Sequence, residues 1–167
     1  MIWKQSMSEL LSIVRLENET DAWRCANLMA TSEPWLTLRR DRDGAYAAIT
    51  SASRETYVGL MDGDVVGFVI LCMEGAFVGY IQSICVARAH RNRGIGSRML
   101  SFAEERILAA VPNVFLCVSS FNEGAKRLYG RLGYEVIGEL RDYVVEGHSE
   151  ILLRKTTGPL SRGPGQA

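Results

Sequence analysis

Apolar and polar positions along this chain change period several times, and each change marks an element. Residues 12–16 alternate as a half-buried strand does. From Thr20 or Asp21, either able to cap a helix, Ala22, Cys25, Ala26 and Met29 recur at helical spacing as far as Ala30. Glu33-Pro34-Trp35-Leu36 breaks that helix, and a second is expected over 44–51. Residues 56–61 and the continuous apolar run 65–73 read as strands around the tight turn Asp62-Gly63. Gly75-Ala76 then turns the chain into a strand over 77–86, with Ile81, Ile84 and Val86 in it. A basic loop follows, with Gly94 and Gly96, and then a helix with apolar positions at Ile95, Met99, Phe102 or Ala103, and Ile107. A fifth strand is expected over 114–119. Asn122 caps a helix over 123–132 that Gly133 closes, and 134–140 and 149–154 form a final antiparallel pair.

Strands three and four read as an antiparallel hairpin, whereas a helix joins strands four and five, which should therefore run parallel. The result is an α/β fold: one mixed sheet (α+β in its antiparallel parts) with helices on both faces. The 167 residues fit a single domain with a real core. We expect an extension at 1–10, with Met7 a plausible second start, a domain over 11–156 and a loose tail over 157–167 containing Gly-Pro twice.

Composition narrows the class. Nineteen basic and nineteen acidic residues cancel, so no global field draws the chain to nucleic acid or an anionic membrane. No apolar segment approaches a membrane span, and the first residues lack a secretory core. Cys25, Cys72, Cys85 and Cys117 form no C-x-x-C pair and sit mostly in apolar runs, which points to buried free thiols in a reducing cytoplasm. No metal-ligand spacing is present.

Against this neutral background the basic cluster from Arg88 to Arg98 is local, and it coincides with the glycine loop. Strand, basic glycine loop and helix start together make an anion site. First-turn N–H groups point outward, the helix dipole adds positive potential, and the glycines let backbone approach the ligand. Arg91, Arg93 and Arg98 add cations. The run lacks the third glycine of G-x-G-x-x-G, and no G-x-x-x-x-G-K-S/T occurs in the chain.

Arg91-Asn92-Arg93-Gly94-Ile95-Gly96 resembles the R/Q-x-x-G-x-G/A motif of the GNAT superfamily of N-acetyltransferases. Asn122-Glu-Gly-Ala-Lys-Arg-Leu-Tyr129-Gly-Arg-Leu-Gly133-Tyr134 is similar to that family's N-x-x-A-x-x-L-Y-x-x-L-G-F/Y signature. The two motifs stand in family order, and the element order matches along nearly the whole chain. The segment at Glu33-Pro34-Trp35 and the ending 147–155 look like a bacterial subgroup.

This resemblance implies a central sheet of about seven strands, mostly antiparallel, in which strands four and five splay apart. It further implies acetyl-CoA as donor, its pyrophosphate held by the loop through Arg91, Asn92, Arg93, Gly94, Ile95, Gly96 and Ser97. Free backbone groups of Ile84, Cys85 and Val86 would bind the pantetheine arm, with Asn122 and Tyr129 also on the cofactor. Trp35, Tyr80, Tyr143 and the loop 141–148 would wall the pocket for an amine acceptor, either a small molecule or a peptide.

Acetyl transfer also needs a proton for the departing thiolate and a base for the amine. Tyr129 suits the first task, because a phenol of pKa about 10 holds its proton at neutral pH yet can share it with a thiolate. It also lies on one apolar stripe with Ala125 and Leu132, as an ordinary core tyrosine would. For the base, the positions where many members carry glutamate are occupied here by Tyr80 and Cys117. A tyrosine at the first place resembles some N-terminal acetyltransferases, where it works with an ordered water; plain packing is the alternative. Cys117 as nucleophile, His148, Glu33 and Glu150 are lesser candidates, since buried thiols are mostly inert and acids near strand ends mostly solvated. A weak base suits an α-amine better than a lysine. A non-catalytic acyl-CoA-binding module and a nucleotide-binding regulator are the competing readings, and a homodimer is conceivable from exposed apolar edges.

Overall fold

The computed structural model describes residues 10–161. The expected extension and tail lie largely outside that range. Seven strands form one sheet in the order β1-β2-β3-β4-β5-β7-β6: β1 (Ser12–Arg15), β2 (Glu55–Met61), β3 (Asp64–Cys72), β4 (Tyr80–Val86), β5 (Asn113–Ser119), β6 (Glu135–Leu140) and β7 (Glu150–Thr156). Every neighbouring pair is antiparallel except β4 and β5.

Helices α1 (Glu19–Ala30) and α2 (Arg42–Ile49) cover one face. Ala22, Cys25, Ala26, Met29, Ala45 and Ile49 pack there on Val58, Phe68, Ile70 and Cys85. The cap of α1 differs from the expected Thr20 or Asp21, and α2 starts before the expected Gly44. Asn18 caps α1, its Oδ1 accepting from the Asp21 N–H at 2.8 Å, and Asp41 caps α2 through the Gly44 N–H at 2.7 Å. Both lie just N-terminal to the residues that the apolar periodicity singled out, because capping depends on a side chain and not on the stripe.

Helix α3 (Ile95–Leu108) covers the other face, burying Ile95, Met99, Leu100, Ala103 and Ile107 against Val69, Leu71, Ile81, Val114 and Leu116. Beside it α4 (Glu123–Arg131) is capped by Asn122, whose Oδ1 accepts from the Ala125 N–H at 3.2 Å. Its C-terminus closes through two bonds, Tyr134 N–H to Tyr129 O and Gly133 N–H to Gly130 O, with Gly133 at φ 87°. These are the paired contacts of a Schellman ending, and they fix the turn that carries Tyr129.

The feature that positions the site is the parting of β4 from β5. The two strands are paired only at Tyr80–Phe115 and Ile81–Leu116. Gly79 pins this start: its carbonyl accepts from the Phe115 N–H at 2.9 Å, and a Cβ on it would lie 2.4 Å from the Asn113 oxygen. Gly79 also has φ 86°, so β4 begins at Tyr80 and not at residue 77. One residue past the last paired position, Gln82 is an extra residue against β3, where the register steps from Leu71–Ile81 to Ile70–Ser83. A bulge bends the strand that carries it. Beyond Gln82 the strand stays on β3 as far as Val86 and leaves β5.

Candidate active site

Two cavities meet at this parting. One, with a volume of ≈ 380 Å³, lies over Tyr80, Gln82, Ser83, Cys117, Ser119 and Glu150. The second, of ≈ 740 Å³, runs along Ile84, Cys85 and Val86 to Arg91, Asn92 and Gly96, and along Gly124, Ala125 and Leu128 of α4. Pro34, Trp35, Ile84, Asn122 and Tyr129 line both.

The long cleft has the features of an extended anionic ligand's site. Gly94 is the N-cap of α3 at φ 78° and Asn92 stands at φ 59°, so the loop turns sharply and leaves the first-turn amides of α3 without intrahelical acceptors. The first in-helix bond at this end is Arg98 N–H to Gly94 O at 3.0 Å. A Cβ on Gly96 would meet nothing closer than Val86 Cγ2 at 3.6 Å, so the glycine keeps open a space that a methyl would partly fill. These residues fit the diphosphate and pantetheine arm of a coenzyme A.

Not every expected contact lines the cleft. Ile95 turns its side chain into the core, Ser97 is exposed, and Arg93 Nη1 lies 3.3 Å from His90 Nδ1. Gly94 shapes the turn without lining the cavity. Arg98 is removed from the set of anion-binding cations: its Nη2 donates to the Leu11 carbonyl at 3.2 Å, tying α3 to the segment before β1. Arg91 donates from Nε to Val86 O at 3.0 Å and lines the cleft, with four further N–H donors on its guanidinium.

Tyr129 is 8% exposed and its ring stands edge-on to Tyr134 at 5.6 Å. Burial pushes its phenol up to about 12. Such a group holds its proton throughout the working range, and what it offers a sulfur is a hydrogen bond more than complete release of that proton.

The smaller cavity holds a group that the sequence pattern undervalues. Glu150 begins β7 directly opposite Ser119, is 6% exposed, and accepts from Ser119 Oγ at 2.7 Å. Burial raises its carboxyl above the usual carboxylate range, with Ser119 and His148 opposing. Tyr80 lies on the same floor. Burial, and then the neighbouring Cys117, Glu150 and Tyr143, push its phenol upward, so Tyr80 stays neutral and donates toward Cys117. Cys117 is likewise raised by burial, against the thiolate a nucleophile needs. His148 lines neither cavity; its ring packs edge-on to Phe121 at 4.9 Å, and it precedes β7, a strand inside the sheet. Glu33 Oε2 accepts from the Thr37 N–H at 3.2 Å, which holds the turn that carries Trp35. Tyr143 lines the smaller cavity and is largely exposed. Among the described residues there is no His/Cys/Asp/Glu cluster able to hold a metal, and no helix long and apolar enough to cross a membrane.

A sheet that parts between two parallel strands, with an anion loop at one end of the gap and a buried acid–phenol cluster at the other, defines an acyl-CoA-dependent transferase fold. Residues 16–134 match the model of the acetyltransferase (GNAT) family. The chain belongs to that family and is an acetyl-CoA-dependent N-acetyltransferase. It is 30% identical over 147 residues to the N-alpha-acetyltransferase RimI of Mycobacterium tuberculosis, covering 83% of this chain and 88% of that one. It is 31% identical over 111 residues to an N-alpha-acetyltransferase of Sulfurisphaera tokodaii, covering 58% of this chain and 66% of the relative. The solved structure of Arabidopsis thaliana Naa50 with the bisubstrate analogue CoA-Ac-MVNAL superposes with a TM-score of 0.70 at 21% identity, over 87% of this chain and 98% of that one.

Proposed function

We propose that the enzyme acetylates the α-amine of a peptide or protein N-terminus, with Glu150 as general base and Tyr129 as hydrogen-bond donor to the leaving sulfur. The observation that carries this reading is the joining of the two cavities at Tyr129, Ile84 and Asn122, with the one buried carboxylate of the acceptor side at Glu150.

Acetyl-CoA supplies the acetyl thioester and the thiolate that departs from it. Arg91, Asn92 and the α3 amides hold its diphosphate, and the unpaired edge of β4 from Ile84 to Val86 orients the arm as a strand-like partner. Glu150 accepts a proton from the incoming ammonium. Its raised pKa makes it a stronger base than a solvated carboxylate, while Ser119 keeps one oxygen oriented. Tyr80, neutral and fixed beside Cys117, gives the proton path a donor–acceptor hydroxyl. Tyr129 steadies the charge growing on sulfur.

The acceptor class follows from proton energetics and from the names of the relatives. Freeing a lysine amine at pH 7 costs about 4.6 kcal/mol, against about 1 for an α-amine of pKa near 7.8. A single raised carboxylate covers the second more readily than the first. Three relatives in sequence are named N-alpha-acetyltransferases, and the Naa50 structure holds a CoA–peptide conjugate. The reading also places the protein in a reducing compartment, where its four free cysteines stay thiols.

Release of free thiol from acetyl-CoA, followed with matched peptides, tests the acceptor. Peptides with a free α-amine and no lysine should turn over at least about tenfold faster than the same peptides blocked at the N-terminus and carrying one lysine. The opposite order removes the α-amine assignment.

A further inference from the structure

The acceptor cavity carries a charge pattern that the transfer chemistry does not use. Apart from Glu150, its only charged lining residues are Arg40 and Arg54, both half-buried. Several cations elsewhere have carboxylate partners: Arg15 and Arg106 with Glu55, Arg24 with Asp21, Lys126 with Glu123, and Lys155 with Glu104; others, such as Arg91 and Arg98, are held by backbone carbonyls. Among the described residues neither cavity arginine has a carboxylate partner.

Arg54 is held in place by neutral groups. Its Nε donates to Gln82 Oε1 at 2.7 Å, and its Nη1 donates to the Ser53 carbonyl at 3.2 Å and lies 3.0 Å from Ser53 Oγ. Gln82, the bulged residue of β4, thus anchors a guanidinium over the cavity floor without neutralising it. Arg40 is positioned through its backbone, whose N–H donates to Trp35 O at 3.0 Å, and its guanidinium has no hydrogen bond or ion pair among the described residues. A guanidinium offers five donors in a planar fork and needs acceptors when water is thinned around it. The chain has nineteen carboxylates, yet among the described residues none forms an ion pair with Arg40 or Arg54.

We propose that the acceptor bears a carboxylate of its own, received by Arg40 and Arg54 while its amine faces Glu150. The inference rests on the α-amine reading above and names the acceptor class within it: N-termini with an aspartate or glutamate in the first residues. A free dicarboxylic amino acid presents the same pair of groups and is the other source of this chemistry. A carboxylate met by a guanidinium gains about 1.5–3 kcal/mol, which corresponds to roughly 10- to 100-fold in kcat/KM over its neutral amide.

The experiment uses one peptide series differing only at its second residue, Glu, Gln or Lys, together with free glutamate, each tested with wild type and with Arg40→Gln. The wild type should prefer the Glu peptide over the Gln peptide by about tenfold or more, and the Lys peptide should be poorest. In Arg40→Gln, with unchanged melting temperature, that preference should shrink to within about twofold, and the wild-type preference should weaken as salt rises. Free glutamate turning over faster than every peptide identifies the small molecule as the source of the carboxylate. Equal rates on the Glu and Gln peptides, or a preference that survives Arg40→Gln, overturn the inference and leave the α-amine reading standing. No turnover of any α-amine by an enzyme that still binds CoA removes both.

Discussion

Glu150 and Tyr129 are both buried ionisable groups, and burial acts on them in the same direction with opposite chemical consequences. For the carboxyl it yields a better base; for the phenol it yields a group that keeps its proton. Replacing Glu150 by Gln should lower kcat/KM for an α-amine peptide by about 10²–10⁴ and abolish the rise of rate on the acid side of the pH profile. The same substitution has a stability signature whose sign is fixed. A folded pKa above the unfolded value near 4.3 means that the contribution of protonated Glu150 is complete below that pH and is lost as pH rises through the folded value. Gln cannot ionise, so the melting temperature of Glu150→Gln relative to wild type should climb between pH 4 and pH 8; a flat difference would show that Glu150 is not desolvated. Tyr129→Phe should cut kcat by about 10²-fold or more with CoA affinity retained, read from steady-state rates and calorimetric titration. The resemblance of the Asn122–Tyr134 run to the family signature made Tyr129 visible, whereas its apolar stripe alone reads as that of an ordinary core tyrosine. It left Glu150 among the solvated acids. Its burial depends on β7 pairing with β5 so that Ser119 faces it, a contact 31 residues away that no local spacing encodes.

At the scale of elements, the anion loop and the bulge in β4 do separate jobs. The loop is written in glycines and arginines, so its position at the start of α3 was legible, although Arg98 turned out to brace the helix against the Leu11 carbonyl. The bulge at Gln82 has no sequence signal of its own, since strand register is fixed by the partner strand. The start of β4 shifted for a related reason: the apolar run continues back to Phe77, but Gly79 is in a left-handed conformation and pressed against Asn113 O. Gly96 offers a test that divides folding from binding. An alanine there meets only an ordinary contact with Val86 and lies inside a helix, where Gly→Ala is worth up to about 1 kcal/mol. Gly96→Ala should therefore keep or slightly raise the melting temperature of the ligand-free protein while weakening CoA binding by about tenfold or more, since the methyl enters the cleft. Unchanged affinity would take the first turn of α3 out of the binding site.

Across the whole molecule, two apolar layers hold the sheet from opposite sides. One is set on Phe68 and Ile70, the other on Val69 and Leu71, and β4 can leave β5 because its other edge stays on β3 through Val86. With equal numbers of acidic and basic residues, the protein's electrostatic character is local: cations at the donor loop, a buried acid and two unmatched guanidiniums on the acceptor side. In the proposed reading, donor and acceptor approach from different cavities, both of which Tyr129 lines. A conjugate that joins CoA through its sulfur and an acetyl bridge to a peptide α-nitrogen spans both cavities at once, and its affinity measured against CoA alone tests this geometry directly. The account predicts binding at least about 10²-fold tighter than CoA, a gain that Ser83→Trp, on the floor of the smaller cavity, should largely remove. A conjugate that binds no more tightly than CoA would contradict it.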